Sequence, residues 1–296
     1  MQYFEYEKAI CYSGYRLGQS PKGTVPTKEQ IEEDIELLYK DGYRYLRMYD
    51  PNMHARRVLE VIHEKHLPIK CMIGIDSDPE VNNLNCPFDK QNYSAAALAA
   101  HIARNDAELD KLIELVKEYP DEVMAVSIGN ENTPDWGAHM VSEDRLIEHA
   151  DKLKRELDKP VTFCEGVFEW KKLKRLAEHL DFISVHSYPL HYGETIDNAI
   201  PMNREHLKMI REMFPDKQVI FTEIGWTSQP NDNMKPGEAT PENQKRYITE
   251  LAKWLDDEKI IAFIFEAFDE PWKGSKPESS ECNWGLYYEN RQKKWN

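Results

Sequence analysis

Short apolar runs, rich in β-branched residues, recur along the chain, and most close on a polar or acidic residue. They cover residues 9–14, 43–50, 68–76, 123–131, 160–166, 181–189, 218–226 and 260–269. Short runs bounded by Gly, Pro, Asn or Asp read as strands buried on both faces. Between them the period changes to that of a helix. Thr27-x-x-Gln30 is a capping-box signature, followed by Ile31, Ile35 and Leu38 at helical spacing and by Gly42 as a stop. Further helical patterns carry Val58, Leu59 and Ile62, then Leu109, Leu112, Ile113 and Val116 within 94–119, then residues 142–157. Leu173, Leu176 and Leu180 mark another, as do Leu207, Ile210 and Met213. Thr240 reads as an N-cap, with Pro241 at the first position of a helix reaching about Asp256.

Strands alternating with helical patterns predict a parallel sheet. Eight such strands in a chain of 296 residues predict an α/β fold, the (β/α)8 TIM barrel. No G-x-G-x-x-G turn follows the first strand, which argues against an open doubly wound sheet. No linker or internal repeat divides the chain, so residues 1–296 are expected to form a single catalytic domain. About 27 residues follow the eighth strand and read as loop, so the eighth helix is expected to be short or atypical. Residues 77–92, with Pro79, Pro87 and four asparagines, read as a long rim loop.

Hydrophobic residues make up 41% of the chain and charged residues 31%, the composition of an ordinary globular protein. The net charge of −15 argues against nucleic-acid or anionic-membrane partners, which demand basic patches, and favours a neutral substrate. The acidic run from Glu29 to Glu36 reads as a solvated helix face. None of the five cysteines forms a C-x-x-C pair, so zinc and redox motifs are unsupported. Cys11, Cys71 and Cys164 lie in apolar runs and read as small buried hydrophobes. No apolar run reaches membrane-spanning length. No basic segment precedes an apolar stretch at the N-terminus. The chain as it stands therefore reads as cytoplasmic, or as periplasmic or secreted if a leader has been removed. A monomer is expected.

In a barrel the C-terminal strand ends converge on one face. Here they supply Tyr12, Arg47, Asp50, Asp76, Asn130, Glu131, Glu165, His186, Tyr188, Glu223, Trp226 and Asp269. Glu131 closes the fourth strand and Glu223 ends the seventh. Two carboxyl groups in one cleft are what glycoside hydrolysis requires, one protonated toward the leaving oxygen and one ionised toward the anomeric carbon. Neighbouring acids push each other's pKa values apart, which assigns the roles. Trp136, Trp226, Trp272 and Trp284, with Tyr12, Tyr15 and Tyr188, offer rings for the C–H faces of sugars. Trp170 and Trp254 sit inside helical patterns and read as core. His186 lacks a ligand-spaced partner and reads as a hydrogen-bonded structural histidine, so no metal or other cofactor is expected. Glu266 points either into the barrel or into the site.

Ser127-Ile128-Gly129-Asn130-Glu131 resembles the acid/base motif of the glycosidase clan that shares this barrel, and Thr222-Glu223-Ile224-Gly225-Trp226 resembles its nucleophile motif. Within that clan the chain resembles glycoside hydrolase family 17, the 1,3-β-glucanases and related glucanosyltransferases. Arg47-Met48-Tyr49-Asp50, Ser187-Tyr188-Pro189, the run from Phe268 to Lys273 and the run from Glu281 to Leu286 match that family in order. The resemblance implies Glu131 as acid/base, Glu223 as nucleophile, Asn130 on the sugar 2-hydroxyl and Tyr188 on the nucleophile. It implies a polar cluster of Glu270, Lys273 and Glu281 beside the acid/base. Tyr12, Arg47 and Trp226 complete the expected substrate contacts. The expected substrate is a β-1,3-glucan such as laminarin. The segment after the sixth strand is too short for the extra subdomain of the plant enzymes, which leaves endo and exo action open.

Overall fold

The computed structural model describes residues 2–87, 91–274 and 276–295, so residues 88–90 of the expected rim loop lie outside the described residues. Its strands are β1 (Lys8–Cys11), β2 (Tyr43–Met48), β3 (Lys70–Ile73), β4 (Val123–Asn130), β5 (Val161–Gly166), β6 (Ile183–Ser187), β7 (Val219–Gly225) and β8 (Ala262–Phe265). They hydrogen-bond in that order into a closed barrel, every pair parallel. The helices between them are α1 (Lys28–Lys40), α2 (Met53–Glu64), α3 (Ala95–Glu118), α4 (Glu143–Glu156), α5 (Lys174–His179), α6 (Ile196–Met213) and α7 (Pro241–Glu258). This is the expected (β/α)8 barrel. Strands such as β7, buried along their whole length, are covered by the barrel interior on one face and by helices on the other.

The local signals act as read. Thr27 accepts from the Gln30 backbone while the Gln30 side chain reaches back, closing both arms of the capping box. Ser94, Ser142 and Thr240 cap α3, α4 and α7. Trp170 and Trp254 are core, the former donating to the Ser184 carbonyl at 3.0 Å. The acidic run on α1 departs from expectation at one residue. Asp34 falls on the apolar stripe with Ile31, Ile35 and Leu38 and is fully buried.

The partner that makes this tolerable comes from the far end of the chain. After β8 there is no eighth α-helix among the described residues, only a 3-10 turn at Ser280–Cys282 and a strap that crosses the barrel edge. The last expected strand shortens because residues past Phe265 pair with this strap instead: Asp269 N donates to Tyr287 O at 2.8 Å and Leu286 N to Glu266 O at 2.9 Å. The approach is close enough that a Cβ on Gly285 would lie 2.2 Å from Asp269 N, so glycine is needed there. Arg291 then grips Asp34 with Nε at 2.6 Å and Nη2 at 2.5 Å. Lys294 pairs with Asp269 at 2.8 Å, and Lys293 with Asp41 at 2.7 Å. The seam beneath carries only the register pairs Ala9↔Phe263 and Ile10↔Ile264, so the strap reinforces the thinnest join in the barrel.

Arg291→Ala leaves Asp34 buried with only Arg16 and Tyr12 to answer its charge. Removing one partner of a buried pair costs about 3–5 kcal/mol. We expect a clear fall in the urea midpoint, and an unchanged midpoint would mean that the strap does not hold the edge.

Candidate active site

The site begins with the turn that ends β4. Glu131 has φ 49°, a left-handed conformation that a non-glycine residue adopts only when its surroundings fix it. Three contacts do so. Glu131 N donates to Cys164 O at 2.9 Å. Asn132 Oδ1 accepts from Asn130 N at 2.8 Å, and Asn132 Nδ2 donates to His139 O at 2.8 Å. The Asn132 side chain fits because residue 129 is glycine, where a Cβ would lie 2.3 Å from its oxygen. Glu131 ends with its side chain 27% exposed to a cleft of about 590 Å³.

Glu223, on β7, faces it from deeper down, with its side chain 8% exposed. On one carboxylate oxygen, Arg47 Nη1 donates at 2.5 Å and the Tyr49 hydroxyl at 2.9 Å. On the other, the Tyr188 hydroxyl donates. Arg47 Nη2 also donates to Asn130 Oδ1 at 2.5 Å, which leaves the Asn130 amide nitrogen to donate to a ligand. Burial alone would raise the Glu223 pKa. The charges of His186 and Arg47, with hydrogen bonds from Tyr188 and Arg47, overturn that and pull it to about 2. The lowered value stabilises the fold above the ordinary carboxylate range, and that contribution is lost as pH falls toward 2.

His186 links the two acids. Its Nδ1 is 2.7 Å from Glu131 Oε1 and 3.5 Å from Glu223 Oε2. It is hydrogen-bonded, as expected, but to the site carboxyl Glu131, with Glu223 in ion-pair range and the Cys164 thiol as a further partner. Burial opposes its charge, yet Glu223, the Cys164 thiol and Glu131 push it up to about 10. Cys164 packs in the same place, so it is more than a space-filler. Against burial, the Arg47 charge and His186 draw its thiol down to about 7. Glu165, a further carboxyl in the cleft wall, is pushed up to about 8 by burial and by the charge of Glu131. Its oxygens accept from Thr133 and from Gly166 N.

Several expected contacts lie elsewhere. Tyr12 is 1% exposed, with its hydroxyl on Asp34 under α1, because its strand position faces the helix layer and not the cleft. Trp226 is fully buried against Tyr247 of α7 and donates to Glu238 O at 3.1 Å. Arg47 is 3% exposed and serves Glu223 and Asn130, which leaves it under the carboxylate and away from a sugar. Glu270 is fully buried. It pairs with Lys273, which also meets Glu266 at 2.9 Å. Glu266 therefore points toward this cluster, where burial and the charge of Glu270 raise its pKa. Glu281 does not join them. It is exposed in the cleft wall beside His191 and Trp284. Tyr188 and Trp284 do meet the cleft, with ring centroids 5.1 Å apart, and Trp136, Phe168 and Tyr192 line its outer wall.

In the sequence Tyr49 reads only as part of a motif and His186 and Glu165 only as strand ends, so the parts that Tyr49, His186 and Glu165 play in the site are not evident there. The period of two on a strand held the signal for the first two: Arg47 and Tyr49 share a face of β2, and His186 and Tyr188 share one on leaving β6.

Among the described residues, Glu131, His186 and Glu223 each offer one atom within 4.8 Å of the others. The arrangement does not suit a cation. Both Glu223 oxygens already accept from Tyr49, Tyr188 and Arg47, and the Arg47 guanidinium places a fixed positive charge at the spot.

The model of the BtgE/BtgC glycoside hydrolase domain matches residues 9–285. The chain belongs to that family. The match bears out the resemblance to glycoside hydrolase family 17 read from the motifs. The cell surface mannoprotein MP65 of Candida albicans is 24% identical over 290 residues, covering 95% of this chain and 66% of that protein. A glucan 1,3-beta-glucosidase of Schizosaccharomyces pombe is 28% identical over 207 residues, covering 66% of this chain and 64% of that protein. The alignments thus span somewhat less than two thirds of these relatives' own lengths. The crystal structure of an endo-laminarinase from Formosa shares the fold, with a TM-score of 0.79 at 23% identity, covering 96% of this chain and 83% of that one. No helix among the described residues is long and apolar enough to cross a membrane.

If Arg47 holds Glu223 ionised, Arg47→Met should raise the Glu223 titration toward the ordinary glutamate value of about 4.3. Carbon-13 NMR of the labelled carboxyl group reads this directly, and a titration that stays put would remove Arg47 from the account.

Proposed function

We propose that the chain is a retaining glycoside hydrolase that cleaves β-1,3-glucan of the laminarin type, endo-acting, with residues 1–296 working as one catalytic domain and a monomer. The observation that carries this reading is the pairing of a carboxylate held ionised, Glu223, with a cleft-facing carboxyl, Glu131, whose oxygens approach within 4.8 Å. Retaining enzymes place the two groups about 5–5.5 Å apart, and inverting enzymes need about 6.5–9.5 Å to admit a water between them. The substrate class is supported by the name of the fission-yeast relative and by the motifs in order along the chain.

In the first step Glu223 attacks the anomeric carbon. The bond to the glycosidic oxygen breaks, and Glu131 delivers its proton to that oxygen. Glu223 is then an ester of the sugar. In the second step water attacks the same carbon, Glu131 takes the water proton, and Glu223 leaves as a carboxylate. The Asn130 amide is available to a hydroxyl of the reacting sugar, Tyr188 positions Glu223, and Trp284 supplies an apolar floor. Glu270 and Lys273 act at one remove, through the buried cluster with Glu266. The exposed wall of Trp136, Phe168 and Tyr192 favours a second reading. A sugar stacked there in place of water would accept the glycosyl group, making the enzyme a β-1,3-glucanosyltransferase.

Incubation with laminarin oligosaccharides under proton NMR should give the β anomer first, and an α anomer first would overturn retention. Glu131→Gln should lower kcat by ~10²–10⁴-fold, and Glu223→Gln should abolish turnover. Elongated products at high oligosaccharide concentration would select the transferase reading. A pH profile of kcat/KM should be bell-shaped, with its acidic limb below the ordinary glutamate value because Glu223 is needed ionised.

A further inference from the structure

One ring nitrogen stands between the two candidate catalytic acids, and nothing in the mechanism so far uses it. His186 is 2% exposed at the end of β6. Its Nδ1 makes the 2.7 Å contact to Glu131 Oε1 and the 3.5 Å contact to Glu223 Oε2. With Glu223 ionised and the Glu131 proton on Oε2, both oxygens nearest Nδ1 are acceptors, which favours the hydrogen on Nδ1. The ring's other nitrogen, Nε2, is buried and has no hydrogen-bond partner. The charged and titratable groups around the ring are Glu131 from β4, Cys164 and Glu165 from β5, and Glu223 from β7. Arg47 from β2 and Tyr188 from the end of β6 reach the same Glu223 carboxylate.

We propose that His186 is the positioning residue of the acid/base step, its Nδ1–H fixing Glu131 Oε1 so that Oε2 is the oxygen that carries and receives the proton. This rests on the assignment of Glu131 and Glu223 made above. The contact has a second consequence, because its balance changes during the cycle. In the free enzyme the Nδ1–H is shared, strongly with Glu131 and weakly with Glu223. Once Glu223 has become an ester, its negative charge is gone, and the Nδ1–H serves Glu131 alone. Glu131 has by then lost its proton to the leaving oxygen. An undivided donor stabilises the carboxylate that must next accept the water proton. The same side chain that orients the acid thus supports the base, without gaining or losing a proton itself.

The test compares two substrates across His186→Phe, His186→Gln and the wild type. One is a laminari-oligosaccharide, whose alcohol leaving group needs protonation. The other is a dinitrophenyl β-laminaribioside, whose leaving group departs unaided. His186→Phe is expected to lower kcat/KM on the oligosaccharide by ~10²-fold, the scale of general acid catalysis, and by less than about tenfold on the aryl substrate. Both limbs of its pH profile should move to higher pH, because a donor to each carboxylate has been lost. His186→Gln, which keeps an N–H donor, should recover most of the oligosaccharide activity. Equal losses on both substrates with unmoved limbs, or no loss at all, would overturn the proposal. Glu131→Ala run in parallel separates the two claims. If its loss shows no dependence on the leaving group, the acid/base assignment itself fails, whatever His186 does. Should His186→Phe not fold, as judged by circular dichroism, the gap between Gln and wild type on the two substrates decides in the same way.

Discussion

The structure turns on a buried negative charge. A carboxylate at the depth of Glu223 is expensive to keep ionised, and left to itself it would take up a proton. The charges of His186 and Arg47, with hydroxyl donors from Tyr49 and Tyr188, prevent this, reaching Glu223 from the ends of β6 and β2. None of them is near Glu223 in the chain. The barrel must therefore close in the right register before the charge can exist. Once closed, the charge fixes Arg47, Tyr49 and Tyr188 in return, since each has given a donor to the same two oxygens.

Glu131 shows the complementary arrangement. It sits at the mouth, half-buried, on a backbone held in a left-handed turn by Asn132 and by the missing Cβ of Gly129. One acid is thus held by side chains deep in the wall and the other by its own main chain at the rim. Their environments differ because their supports differ, and that difference is what allows two identical side chains to take opposite parts in one reaction.

Much of this was legible beforehand, for identifiable reasons. Alternating apolar runs and helix caps are local signals, and they fixed the barrel and its seven helices. Glu131 and Glu223 stood out because an acid ending a buried strand has few structural uses. Tyr12 and Trp226 read from sequence as cleft residues because a strand end has two faces, and polarity alone does not say which one looks into the cleft. Tyr12 turned outward to Asp34, a residue that itself read as solvated. Asp34 could not be read correctly without Arg291, 257 positions away. His186 reads from sequence as a hydrogen-bonded histidine, but the identity of its partners depends on strands four and seven arriving beside it. Glu281 stands apart from Glu270 and Lys273 even though its neighbour returns to them: Cys282 O accepts from Glu270 N at 3.2 Å, while the Glu281 side chain is exposed at the cleft.

The strap that stands in for an eighth helix ties these observations together in a different way. An ordinary barrel hides its last join under a helix packed by apolar contact. Here the buried Trp284, Leu286 and Tyr287 of the strap are supplemented by charges, which run from residues 291–294 to α1, Asp41 and the loop after β8. That loop also carries Glu270 and Lys273 toward Glu266. Loosening the edge would therefore disturb the floor of the cleft as well as the outer shell, so structural integrity and chemistry answer to the same few ionic ties.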